Sequence, residues 1–193
     1  EGRVSPSDKK ALVNAKSVPV DVQVNYVAGG AAAKLPVRVS ALLRAKSLDY
    51  RDFEEFSFSP PRGRNDNPGA DEEEPNASAD ARVIADKLPV TLDKNGSGKV
   101  LLDKVPAVRV AQELLLEASY ADPNGEVQTL RHTTTLWPAA VVAGIKTEGW
   151  VSMSSAGNQK IRFQALALDL SGKAQADVAL DVKATARIVT PCR

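Results

Sequence analysis

One cysteine, one histidine and one methionine occur in 193 residues, and aromatics make up only 5% of the chain. Each shortage closes a class of function. The single Cys192 cannot form an internal disulfide, so it leaves the redox compartment open. Zinc needs several Cys or His ligands, more than Cys192 and His132 can supply. A serine-type hydrolase needs a base beside its nucleophile. The sole histidine, His132, lies in Arg-His-Thr-Thr-Thr inside an expected strand and reads as an exposed sheet residue. A thiol enzyme would need Cys192 activated by histidine, and a position after Pro191 at the chain end supports a nucleophile poorly.

Charge of one sign is also missing. The formal net charge is +1, Lys and Arg mix with Asp and Glu throughout, and no basic patch interleaves with aromatics; no nucleic-acid partner is expected. No apolar run approaches the roughly 20 residues of a membrane helix, so direct membrane insertion by this chain is not expected. No signal peptide stands at Glu1, which reads as a mature or cut chain. Gly29-Gly30-Ala-Ala-Ala lacks the lysine-serine pair of a phosphate loop. Asp93, Asn95, Ser97 and Gly98 match the opening of a calcium loop, but Lys104 stands where the bidentate Glu belongs, and the simpler reading is a turn. The residues therefore name no catalytic, cofactor-binding or metal-binding site, and the chain reads as non-enzymatic.

What is present is strand material. Valine and alanine dominate, threonine is frequent in the second half, and β-branched residues suit a pleated, half-buried surface. Residues 1–17 are mostly polar and read as a lead-in, with one helical turn near Lys9–Asn14. Val18-Pro-Val20-Asp-Val22-Gln-Val24-Asn-Tyr26 alternates strictly, as a strand with one dry and one wet face does. Pro36–Arg44 alternates again, and Phe53-Glu-Glu-Phe-Ser-Phe58 is a short aromatic segment. Residues 59–80 carry four prolines and the acidic run Asp71–Glu74 with almost no large apolar residue; they read as a mobile solvated loop, with an interaction loop as the alternative. Asn76-Ala-Ser78 is a formal glycosylation sequon and weak by itself.

Further strands are expected at Leu88–Leu92, Lys99–Asp103, Glu113–Ala121, Val127–Trp137 and Val141–Lys146. Asp93-Lys-Asn-Gly96 and Asp122-Pro-Asn-Gly125 carry Asn-Gly pairs, the strongest short hairpin signal. Near Gly144–Gly149 the pattern restarts, with strands expected at Trp150–Met153, Ile161–Asp169 and Ala176–Val189 and a further Asp169-Leu-Ser-Gly172 turn. Trp137 and Trp150 flank this junction and read as packing residues, with a binding cleft as the alternative. The expectation is an all-β, antiparallel, immunoglobulin-like sandwich over 18–140 and the start of a second, incomplete β-domain over 141–193.

Val22-Gln-Val-Asn-Tyr-Val-Ala-Gly-Gly30 with Leu35-Pro-Val-Arg-Val39 resembles the opening of a macroglobulin-like domain. Phe53–Phe58, Leu92-Asp-Lys-Asn-Gly-Ser-Gly-Lys-Val100, Glu117-Ala-Ser-Tyr-Ala-Asp-Pro-Asn-Gly125 and Gln164-Ala-Leu-Ala-Leu-Asp-Leu-Ser-Gly172 resemble later motifs of the same kind, in order, over roughly Val18–Val189. The departures are Gly-Gly-Ala where Gly-x-Pro is usual, Tyr120 for a valine, and the Pro-rich acidic loop. The resemblance is to bacterial α2-macroglobulins. It implies macroglobulin-like domains of a broad-spectrum protease trap, periplasmic and often anchored to the inner membrane as a lipoprotein. Its partners would be other domains of the parent chain and captured proteases. No thioester motif or bait region is identifiable in this chain; Thr190-Pro-Cys-Arg193 is not that motif. The alternative is a surface adhesion or carbohydrate-binding sandwich, which predicts an exposed aromatic platform or bound calcium.

Overall fold

The computed structural model describes residues 1–26, 29–59, 81–148 and 162–183. Ten strands run through these residues: β1 Gly2–Pro6, β2 Leu12–Val13, β3 Val18–Val24, β4 Pro36–Ala45, β5 Arg82–Thr91, β6 Ser97–Leu102, β7 Gln112–Ala121, β8 Val127–Trp137, β9 Val141–Glu148 and β10 Arg162–Asp169. The one helical element among them is a 3-10 turn at Arg51–Phe53. The loop expected at 59–80 beyond Ser59, the sequon at Asn76, the strand at Trp150–Met153 and Cys192 lie outside the described residues. Contacts divide the chain into two units. One holds the described parts of Glu1–Leu48 and Ser59–Ala140; the other holds Asp49–Phe58 and the described parts of Val141–Arg193.

The first unit is a sandwich of two sheets, ordered β1-β3-β6 and β2-β8-β7-β4-β5. Period-two alternation makes it. In β3, Val18, Val20, Val22 and Val24 are all at most 1% exposed, while Asp21 and Gln23 face outward. From the other sheet, Val37, Val39, Ala41 and Leu43 of β4 meet Leu114, Leu116 and Ala118 of β7 in the same core. Each fully buried Val or Leu contributes about 1.5–3 kcal/mol through removal of apolar surface from water.

Three details differ from the sequence reading. Residues 1–17 are not a mere lead-in, and no helical turn forms near Lys9–Asn14. β1 pairs with β3 from Gly2↔Val24 to Pro6↔Val20, and Val4 is 2% exposed in the core. β2 then pairs parallel with β8 at Leu12↔Leu136 and Val13↔Trp137, so the sandwich is not wholly antiparallel. Only one residue of β1 is a large buried apolar one, too weak a signal to show as a period. β5 begins six residues before the expected Leu88. Its register against β4 shifts between Val39 and Leu42, Lys87 takes φ 50°, and its N–H donates to Ser40 Oγ at 3.0 Å. The bulge breaks the alternation on which the reading relied.

The second unit is built on β9 and β10, paired antiparallel from Val141↔Asp169 to Glu148↔Arg162. Ser57 adds a third position: its N–H donates to Ile145 O at 2.8 Å and its carbonyl accepts from Ile145 N at 3.0 Å. Phe58 rests on Gly144, where a Cβ would come within 2.5 Å of the ring, and stacks edge-on against Tyr50 at 4.8 Å. The aromatic segment read as part of 18–140 thus pairs with β9. The bare backbone of Gly144 and the hydrogen bonds of Ile145 hold it there, and neither is visible along the chain. After β10 the chain turns back, with Gln175 N donating to Ala167 O at 2.9 Å. Of the strand expected at Ala176–Val189, the described residues 176–183 form none.

Candidate functional site

Three Asp-x-x-Gly turns share one construction. In each, the aspartate carboxylate accepts two backbone N–H groups: Asp93 Oδ1 from Asn95 and Ser97, Asp122 Oδ1 from Asn124 and Glu126, Asp169 Oδ1 from Ser171 and Lys173, all at 2.8–3.0 Å. The glycine closes each turn at positive φ: Gly96 at 72°, Gly125 at 86°, Gly172 at 91°. Asp93 therefore spends an oxygen on its own turn, as the turn reading required. Its turn is not a hairpin, however. It carries the chain from β5 in one sheet to β6 in the other, whereas the Asp122 turn joins the paired β7 and β8. Among the described residues no group of three or more His, Cys, Asp or Glu converges on a metal-sized site.

His132 is not an exposed sheet residue. It is half-buried and lies opposite Leu116, on the core side of β8. With Thr134 it lines a groove of about 390 Å³ against Arg3, Ser5, Lys9 and Lys10 of the β1 segment. No carboxylate–histidine pair forms there, and no nucleophile is set against His132 at hydrogen-bond distance among the described residues. A second, more open cleft of about 530 Å³ lies on the outer face of the three-stranded sheet. Its side chains are tied to one another. Ser97 Oγ donates to Gln23 Oε1, Gln23 Nε2 donates to Asn95 O at 2.9 Å, and Asp21 takes Ser7 Oγ at 2.8 Å and Lys99 Nζ at 3.6 Å. Trp137 is half-buried, and its carbonyl accepts Asn14 N–H at 2.8 Å, which ties β8 to β2; Trp150 lies outside the described residues.

The outer face of the five-stranded sheet carries a feature the sequence reading missed. Leu42 and Leu115 face each other there, Val83 stands beside Leu42 at 60% exposure, and Thr133 lies beyond Leu115. Ion pairs flank this apolar row on both sides: Arg44 with Glu113, and Arg131 Nε with Glu117 Oε1 at 2.6 Å. The signal was in the runs Leu42-Leu43 and Leu114-Leu115-Leu116, where one leucine stands out of phase with the buried set.

In the second unit, Tyr50 is packed over Gly172, where a Cβ would approach the ring to 2.6 Å. Its hydroxyl is buried without a hydrogen-bond partner among the described residues. Burial, and then the charge of Asp169, push the phenol above its ordinary range. The Asp169 carboxyl is held below the usual carboxylate range, first by Ser171 Oγ at 2.6 Å and next by the Lys173 N–H. On the β9–β10 face away from Phe58, Ile145 and Phe163 are 41% and 47% exposed.

No family model and no curated protein sequence matches the chain. Solved structures do. The chain is similar to the Salmonella α2-macroglobulin reacted with methylamine, with 18% identity and a TM-score of 0.62 over 91% of this chain and 11% of that one. It is similar to native E. coli α2-macroglobulin at 17% identity and TM-score 0.60, over 90% of this chain and 11% of that one. The trypsin-activated E. coli protein matches at 16% identity and TM-score 0.58, over 90% of this chain and 12% of that one. The chain thus spans about a ninth of the length of the proteins it resembles, and it has their all-β, macroglobulin-like sandwich fold.

Proposed function

We propose that this chain is a structural and interaction module of a bacterial α2-macroglobulin, a protease trap, and has no catalytic activity of its own. The observation that carries the reading is the reach of the likeness: about nine tenths of the chain, more than either unit alone, matches about a ninth of those larger proteins. Two surfaces support it. The Val83–Leu42–Leu115 row suits packing against another domain of a parent chain. The Ile145–Phe163 face suits completion of a second macroglobulin-like domain by further chain. In this reading the first domain is the sandwich of the first unit, and β9–β10 open the second. The E. coli protein is activated by trypsin, and we carry that behaviour to the parent of this chain. The parent would be periplasmic, anchored to the inner membrane as a lipoprotein, with captured proteases as partners.

The test uses the full-length parent and the 193-residue chain side by side. Trypsin added to the parent is expected to change its hydrodynamic radius and to co-elute with it. The 193-residue chain alone is expected neither to retain trypsin nor to inhibit it. A parent that neither changes size nor retains protease would sink the proposal.

A further inference from the structure

The two edges of the five-stranded sheet are unequal. β5 is a guarded edge: it carries a bulge at Lys87, a lysine, and Pro89, each of which obstructs an added strand. β8 is eleven residues long and has no proline and no lysine. Its ladder with β7 runs without a register shift from Val127↔Ala121 to Leu136↔Gln112. Alternation fixes which groups are free. Glu126 O is bound across the turn by Asp122 N, and Trp137 O is bound on the opposite edge by Asn14 N. Even-numbered residues of β8 therefore bond to β7, and Val127, Thr129, Arg131, Thr133 and Thr135 point their N–H and C=O outward. Among the described residues no strand pairs with Val127, Thr129, Arg131 or Thr133 on this side, while β2 takes the end of the edge, its Leu12↔Leu136 bridge using the Thr135 carbonyl and the Trp137 N–H.

Beside this edge runs the groove between β1 and β8. At one end it is closed by Gly2, where a Cβ would meet Leu130 at 2.7 Å; at the other it opens past His132. Its charges are unbalanced in use. Asp21 is engaged by Ser7 and Lys99, while Asp8 accepts the Lys10 N–H at 2.9 Å and keeps its charge, so it is the one groove carboxylate among the described residues without a cation partner. Arg3, Lys9 and Lys10 are exposed and form no ion pair among the described residues.

We infer that the β8 edge and its groove form a docking site for an extended acidic peptide segment, which adds as a strand to β8 while its carboxylates meet Arg3, Lys9 and Lys10. Main-chain hydrogen bonds supply the register and the cations supply the selection. The inference stands apart from the protease-trap reading, because it rests on this edge alone.

The probe is a fluorescent ten-residue peptide alternating Glu with Thr and Val, with a twin carrying Lys in place of Glu, offered to the 193-residue chain. The acidic peptide is expected to bind saturably, and its twin about tenfold more weakly. The exposed-site variant Arg3→Glu/Lys9→Glu/Lys10→Glu is expected to lose about tenfold for the acidic peptide. Thr133→Pro removes an outward N–H and no ladder bond, and is expected to abolish binding. On the unaltered chain, peptide should slow amide exchange at residues 127, 129, 131 and 133 and leave their even-numbered neighbours unchanged, a readout that stands even where Thr133→Pro does not fold. Equal binding of the two peptides, or exchange unchanged at the odd positions, would overturn the inference. So would protection that arises with protein concentration alone, which would give the edge to a second copy of the chain.

Discussion

The two units bury their apolar residues to different extents. In the first, β3, β4 and β7 each place an unbroken alternate row in one shared core, from Val18 to Leu116, nearly all at 0–2% exposure. In the second, Val142, Ala167 and Leu168 are buried, yet Ile145, Phe163, Val178 and Val182 stand 37–49% exposed. Among the described residues, the same strand chemistry thus closes a core only where a second sheet faces the first. A pair of strands with an arm such as 49–58 covers one face and leaves much of the other wet, and marginal stability is the general result for so few strands.

The largest expected effect tests that contrast. Leu116→Ala, at a site 0% exposed in the sandwich core, should cost about 2–5 kcal/mol in urea denaturation followed by circular dichroism. Leu168→Ala, equally buried, should leave that main transition in place and instead speed amide exchange in β9 and β10. A shift of the main transition as large as that of Leu116→Ala would show the units to unfold as one.

The three aspartate turns sharpen it further, since one local design sits in three surroundings. Alanine at any of the glycines meets the left-handed backbone cost of about 1–2 kcal/mol. At Gly125 nothing lies within 4 Å of the new Cβ, so that is the whole expected cost. At Gly172 the Tyr50 ring stands 2.6 Å away and must move. At Gly96 the Cβ would overlap the Val24 carbonyl oxygen and reach Ala32 N at 3.0 Å, backbone that cannot yield. The order of destabilisation should be Gly96→Ala, then Gly172→Ala, then Gly125→Ala. A Gly125→Ala loss equal to that of Gly96→Ala would break the argument.

pH should touch the second unit from both sides. Tyr50 has its folded pKa raised by burial and by Asp169, so its contribution is whole below about pH 10 and falls as pH climbs through the folded value. Asp169 has its folded pKa lowered by Ser171 and Lys173, so its contribution is present above the ordinary carboxylate range and is lost as pH falls through the lower folded value. Tyr50→Phe should abolish the alkaline loss and Asp169→Asn the acid one, read as amide exchange at Lys173 and Gln175. The smallest effect expected is at the surface. A double-mutant cycle on Arg44 and Glu113 should give under about 1 kcal/mol and shrink with salt.

Much of the first unit was legible. Val18–Val24 and Val127–Trp137 announce themselves by period and by flanking turns, and the Asp-x-x-Gly sites are turns as their chemistry demands. What the turn joins was not legible: Asp93 and Asp122 are alike locally, and only the partner of the following strand makes one a corner and the other a hairpin. β1 was missed because a single buried Val4 makes no period. The arm at 49–58 was misplaced because its partner, Ile145, lies far along the chain. The edge of β8 was hidden for another reason. Its free groups belong to the backbone, and no side chain reports them.

That arm has a consequence for synthesis. Glu55 meets Lys146 across 91 positions of sequence. A ribosome working from the N-terminus releases Phe53, Phe56 and Phe58 long before β9 exists. For that interval the Phe58 ring lacks the Gly144 backbone it rests on, and the strand β8 of the sandwich is itself finished only at Trp137, just before β9 begins at Val141. The arm is thus a waiting segment, and the order of translation puts the second unit's assembly last, after every strand of the sandwich has emerged.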